Sequence, residues 1–154
     1  MILSGTSIAK RNIISPHLPR THVTLESGRT LSYGESFAGY DIRVREEAIL
    51  SAGHTMLVSS LEEFNMPTNV LGIVHDKSSW ARMGLSVQNT VLEPGWKGYL
   101  TLELLYSPLF GNGKQIALDA GSPIAQIVFH EIDAYVEGYD GKYQNQPAKP
   151  IGAL

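Results

Sequence analysis

The chain has 154 residues, 43% of them hydrophobic and 18% charged, which is the length of one ordinary domain with enough apolar side chain for one core. Its 15 glycines and 8 prolines, set among short apolar runs, favour a strand-rich fold over a helical bundle, and no run approaches the roughly 20 apolar residues of a membrane helix. The lack of cysteine excludes disulfides and thiolate metal sites, the five scattered histidines lack the paired spacing of a zinc enzyme, and a net charge of -3 disfavours a nucleic-acid partner.

The opening Met1-Ile2-Leu3-Ser4-Gly5-Thr6 has neither the basic region nor the long apolar segment of a signal peptide, so a soluble, cytoplasmic protein is expected. Ser4 to Arg11 reads as a short helix with Ser or Thr as its cap, ending before the break at Pro16-His17-Leu18-Pro19. Strand-like stretches follow at Val23-Thr24-Leu25, at Tyr40 to Val44, and at Thr55 to Val58 after the turn Ala52-Gly53-His54. Alternation puts Tyr40, Ile42 and Val44 on one face and Asp41 and Arg43 on the other, a half-buried strand in which an inward Asp or Arg would serve a buried ion pair.

Phe64 to Thr68 reads as a loop entering a helical turn, Val70 to His75 as a buried strand, and Ser78 to Met83 as a second short helix beginning at Ser78 or Ser79. Later strands are predicted at Gly98 to Tyr106, Gln115 to Leu118 and Ile124 to Phe129, separated by the turns Gly111-Asn112-Gly113 and Asp119 to Pro123. Tyr135 to Leu154, rich in Gly, Tyr, Asn, Gln and Pro without periodicity, is expected to become ordered against something else. The fold class is therefore all-β with two short helices, a β-barrel or jelly-roll sandwich.

Chemistry concentrates in the centre of the chain. A strand ending at His75 and a helix starting near Ser78 would present unpaired amides beside Lys77, two serine hydroxyls and Arg82, a set suited to phosphate oxygens or simply a capped helix with exposed cations. Glu93-Pro94-Gly95-Trp96 reads as a rigid corner carrying a carboxylate. In Tyr99 to Tyr106 the even positions are Leu100, Leu102, Leu104 and Tyr106, so Glu103 shares the less apolar face with Tyr99, Thr101 and Leu105. A cleft there would desolvate Glu103 and suit it to proton shuttling, whereas an open strand face would leave it a solvated glutamate. In the tail, Tyr135, Tyr139, Lys142, Tyr143 and Gln146 would either contact a nucleotide or pack on a protein surface.

These motifs in order, Lys77-Ser78-Ser79 with Ala81-Arg82 and Gly84-Leu85, Glu93-Pro94-Gly95-Trp96 with Gly98, Leu102-Glu103, and Lys142-Tyr143-Gln144-Asn145-Gln146, resemble the dCTP deaminase branch of the dCTP deaminase/dUTPase superfamily. Ile2-Leu3-Ser4 and Gly39 to Arg43 share in the resemblance, which thus runs through almost the whole chain. It implies a homotrimer of distorted jelly-roll β-barrels, one domain over 1–154 whose residues 132–154 form a C-terminal arm over an active site shared between subunits. It implies hydrolytic deamination of dCTP to dUTP and ammonia without zinc, on a deoxypyrimidine nucleoside triphosphate whose phosphates carry Mg2+. By position, Glu103 matches the catalytic glutamate, Ser78 and Arg82 match residues that hold the water and polarise the site, and Lys77, Ser79, Lys142 and Gln146 match triphosphate contacts. Tyr135 matches a tyrosine near them, and Thr90 and Leu92 fall in the stretch that touches the base.

Two features differ from that family. Ser86 to Leu92 is shorter than the usual base-contacting segment, and Glu93 stands where aspartate is usual. In dUTPases the matching aspartate activates water, so the resemblance also admits a dUTP or dCTP pyrophosphatase using Glu93, alone or together with deamination. A nucleotide-binding regulator without turnover is the third reading.

Overall fold

The computed structural model describes residues 1–88, 90–108 and 113–153. Asn89 of the shortened segment, Gly111 and Asn112 of one predicted turn, and Leu154 lie outside the described residues.

Helix α1 (Gly5–Lys10) forms where Ser4 caps it: the Ser4 Oγ accepts the Ser7 amide at 3.3 Å, and Ile8 turns fully into the core. The strands, in chain order, are β1 (Ile14–Ser15), β2 (Thr21–Thr24), β3 (Thr30–Ser36), β4 (Gly39–Arg43), β5 (Ala48–Ser51), β6 (Thr55–Asn65), β7 (Val70–Asp76), β8 (Leu85–Val87), β9 (Val91–Leu92), β10 (Lys97–Tyr106), β11 (Gln115–Leu118) and β12 (Pro123–Glu131). Helix α2 (Ser78–Ala81) lies between β7 and β8.

One sheet has the order β2-β3-β4-β12-β7-β9 and another β1-β6-β10-β8, with β5 and β11 paired separately. The pairings between these strands are antiparallel. Val44 bridges Ser60 and so ties the end of β4 to β6 across the two larger sheets. Inward residues of both, among them Ile42, Val74, Leu102, Leu104, Ile127 and Phe129, are buried to within 1% and form a single core. The predicted all-β class with two short helices holds.

Three local expectations are corrected. Phe64 does not begin a loop with a helical turn: β6 runs on to Asn65, because Phe64 pairs with Ile14 on one side and Gly98 on the other and is buried. Strand β4 is not half-buried. Lys77 covers Asp41 at 2.7 Å and the wholly buried Glu62 takes Arg43 at 2.8 Å, so the polar face is sealed by two ion pairs of the kind its sequence invited. Helix α2 is shorter than predicted, and its cap residue is Lys77, with no side-chain cap bond from either serine.

Candidate active site

Strand β10 positions the site by changing partners along one edge. β8 pairs only with Leu104 to Tyr106, and its departure is marked by the Gln88 amide donating to the Glu103 carbonyl at 2.9 Å. The C-terminal arm takes the other end of that edge. The Asn145 amide donates to the Lys97 carbonyl at 2.9 Å, the Tyr99 amide donates to the Gln146 carbonyl at 3.0 Å, and Gly98 and Gln146 form a parallel bridge. Beside this change of partner a cavity of about 350 Å³ opens, lined by Glu103 and Thr101 of β10, by Thr90, Leu92 and Glu93, and by Gln146 of the arm.

The corner before β10 is built for the arm's approach. The Trp96 amide donates to the Glu93 carbonyl at 3.1 Å and Gly95 has φ of 80°, so Pro94-Gly95 makes the turn its sequence predicts. A Cβ on Gly95 would lie 2.5 Å from the Cα of Gly138, and one on Gly98 would lie 2.5 Å from the Gln146 amide nitrogen. Both glycines of this motif therefore make room for the arm's backbone. The indole of Trp96 donates to the Tyr143 carbonyl at 2.7 Å, and the Gln144 carboxamide bonds the Lys97 amide through its oxygen and the Gly95 and Tyr139 carbonyls through its nitrogen. The tail that carries no periodicity in sequence is thus held by its own chain, and its Tyr139 and Tyr143 wall the cavity.

Glu103 is half-buried, opposite Leu57 in the ladder with β6, on the face predicted from alternation. Its carboxylate has no hydrogen bond or ion pair with another described residue, so it remains available to a ligand. Leu92 and Leu100 are buried and Trp96 is 5% exposed, so apolar and aromatic side chains share the walls with the polar groups of Thr90, Glu93, Thr101 and Gln146. Glu93 is exposed at the rim.

The helix-start group lies elsewhere on the same chain. Lys77 and Ser78 line a separate cavity of about 490 Å³ together with Arg20, Ser36, Asp76 and Gln126. Lys77 is not the free cation expected from sequence, because its Nζ is held by Asp41 and lies 3.5 Å from the Ser32 hydroxyl. Ser79 and Arg82 are exposed on α2, and Tyr135 and Lys142 are exposed on the arm; none of these four lines either cavity. The chain therefore brings Thr90, Leu92, Glu93, Glu103 and Gln146 together around one cavity, whereas Lys77 and Ser78 line another and Ser79 and Arg82 line neither. Sequence reading omitted Thr101, Trp96 and Ile151 from the site; Thr101 was findable, since it stands two residues from Glu103 on the same face of β10.

Residues 10–132 match the family described as dCTP deaminase-like. The dCTP deaminase of Nitrosococcus oceani is 32% identical over 87% of this chain and 87% of its own length, and that of Acidithiobacillus ferrooxidans is 31% identical over 89% and 88%. Among solved structures, the 2'-deoxycytidine 5'-triphosphate deaminase of Agrobacterium tumefaciens superposes with a TM-score of 0.64 at 16% identity, covering 84% of this chain and 47% of that one. A point mutant of the dUTPase from phage phi11 of S. aureus, whose structure shows a coordinated structural Mg(II) ion, gives 0.59 at 16% identity over 80% of this chain and 100% of that one. These likenesses show the dUTPase-like jelly-roll fold.

Proposed function

The chain belongs to the dCTP deaminase-like family, and from that premise we propose that it hydrolyses dCTP to dUTP and ammonia. The observation that carries the reading is Glu103, an unpartnered carboxylate in a cavity walled in part by apolar and aromatic side chains and closed on one side by the C-terminal arm. Glu103 takes a proton from water as the water oxygen adds to C4 of the cytosine and passes that proton to N3; the proton of the resulting C4 hydroxyl then moves through Glu103 to N4, and the C4–N4 bond breaks as C4=O forms and ammonia leaves. One water is consumed and one C–N bond is exchanged for C–O. Water activation by a carboxylate asks for no thiolate-bound zinc.

Ser78 and Arg82 of the partner subunit complete the site in a homotrimer, holding the water and polarising the base. The support is geometric: in one chain the cavity with Ser78 is separate from the cavity with Glu103, so a site using both spans two copies. Thr90 and Leu92 meet the base. Lys77, Ser79, Lys142, Gln146 and Tyr135 lie along the triphosphate, with the charge of Lys77 offset by Asp41. The ligand is a deoxypyrimidine nucleoside triphosphate, and neither nucleic acid nor membrane takes part; no helix among the described residues is long and apolar enough to cross a bilayer. A cytoplasmic location accords with such a substrate.

Mg2+ would accompany the triphosphate and neutralise its charge. The hard oxygen donor that fits it best on this chain is the exposed Glu93 carboxylate at the cavity rim.

A second reading is favoured by that same rim position. Glu93 could direct water to the α-phosphate, releasing pyrophosphate and a monophosphate. Incubation with dCTP and with dUTP in separate reactions, measuring ammonia and pyrophosphate, separates the two: ammonia from dCTP without pyrophosphate supports deamination, and pyrophosphate from dUTP without ammonia supports the second reading.

A further inference from the structure

Thr101 makes contacts that neither composition nor the family motif predicts. It is 7% exposed, and its hydroxyl joins two separate points of the arm: the Ile151 amide donates to Oγ1 at 3.0 Å, and Oγ1 lies 3.1 Å from Oε1 of Gln146. Thr101, Gln146 and Ile151 all line the cavity that holds Glu103.

The two partners use different parts of the hydroxyl: the Ile151 N–H can only donate to Oγ1, and Oε1 of Gln146 can only accept, so the Thr101 proton goes to the Gln146 carbonyl oxygen. This bond favours the carboxamide orientation with Oε1 toward Thr101, and the Nε2 donors of Gln146, which meet no other described residue, are left for a ligand. Gln146 is pinned at its backbone as well, through Tyr99 and through the close approach that Gly98 permits. With backbone and carbonyl oxygen both fixed, the NH2 group is the free end of this side chain. An amide nitrogen of that kind recognises an anionic oxygen.

We propose that Thr101 is a positioning residue, whose single hydroxyl orients the Gln146 carboxamide as an anion-facing donor and latches the arm at Ile151. The inference rests on the deaminase reading for the identity of the anion, a phosphate of the substrate, but the latch itself does not. A valine at 101 keeps the shape and removes both bonds, whereas a serine keeps the hydroxyl.

The experiment compares Thr101→Val, Thr101→Ser and Ile151→Pro, the last removing the arm's donor without touching the barrel. Hydrogen exchange of peptides over 143–153 is followed on the protein alone, and KM and kcat for dCTP are measured in parallel. Thr101→Val is expected to speed exchange of the arm and raise KM roughly five- to tenfold with a smaller effect on kcat, as loss of about one hydrogen bond predicts. Ile151→Pro is expected to reproduce the faster exchange, and Thr101→Ser to restore wild-type values in both measurements. Unchanged exchange in Thr101→Val, or failure of serine to rescue, overturns the latch. If the wild-type protein releases no ammonia, the deaminase reading falls and exchange alone decides the latch.

Discussion

Gly98 and Gln146 touch backbone to backbone, and the contact is possible only because residue 98 has no side chain. Its φ of 130° and the 2.5 Å separation a Cβ would have from the Gln146 amide both forbid alanine in the present geometry. Gly98→Ala is therefore expected to displace the arm while leaving the barrel folded, at a cost of about 1–3 kcal/mol. Limited proteolysis checks this: cleavage within 140–153 should accelerate sharply, and an unchanged digestion pattern would show that the arm is not held at this point.

Lys77 and Asp41 form a buried pair, so Lys77 is expected to act on stability as well as on ligand binding. Asp41→Ala strands the ammonium and should destabilise the fold by about 3–5 kcal/mol. Thermal unfolding measures it. A wild-type melting temperature in Asp41→Ala would mean that Lys77 is free to move into solvent.

Burial pushes the Glu62 carboxyl above its ordinary range, opposed by its bonds to Arg43. The folded state thus holds this proton to higher pH than the unfolded chain does, so the group's contribution to stability is present at acid pH and is lost as pH rises through its folded pKa. Glu62→Gln should remove that component, giving a flatter fall in stability from acid toward neutral pH in chemical denaturation. A steeper fall than in the wild type would reverse the assignment.

How much of this was legible in the sequence depended on whether a residue's neighbours were local. α1 was readable because its cap lies in its own turn, β10 and β11 because apolar residues recur at every second position over most of their length, and β12 because it is a short apolar run after a turn. The reach of β6 to Asn65 was not, since Ser60 and Glu62 break the apolar pattern and are buried beside partners that β10 and β4 supply, the Leu100 amide and Arg43. β3 has no strand prediction for a related reason: Ser32, Tyr33 and Gly34 carry no apolar alternation, and the strand is set by the pairing of Gly34 with Asp41 and of Glu35 with Tyr40. The facing of Glu103 followed from strand period, whereas its distance from the Ser78 group is a through-space relation that spacing does not contain. The arm's destination was hidden too, because it is set by a vacant strand edge and two missing side chains.

Separation of the Ser78 and Glu103 cavities leads to a complementation test. Under the proposed homotrimer, Ser78→Ala and Glu103→Gln each damage one half of a site that two subunits would share, so assemblies mixed from the two inactive variants should contain some intact sites and regain ammonia release. Mixed assemblies that are demonstrably formed yet stay inactive would contradict a shared site.

The central claim is that Glu103 moves the protons of deamination, and Glu103→Gln tests it most directly because the change removes one charge and almost no volume. Ammonia release from dCTP and equilibrium binding of dCTP are measured on the same preparation. Glu103→Gln is expected to bind dCTP about as wild type does and to release ammonia about 10²–10⁴-fold more slowly; near-normal release from a variant that binds dCTP would remove Glu103 from the chemistry.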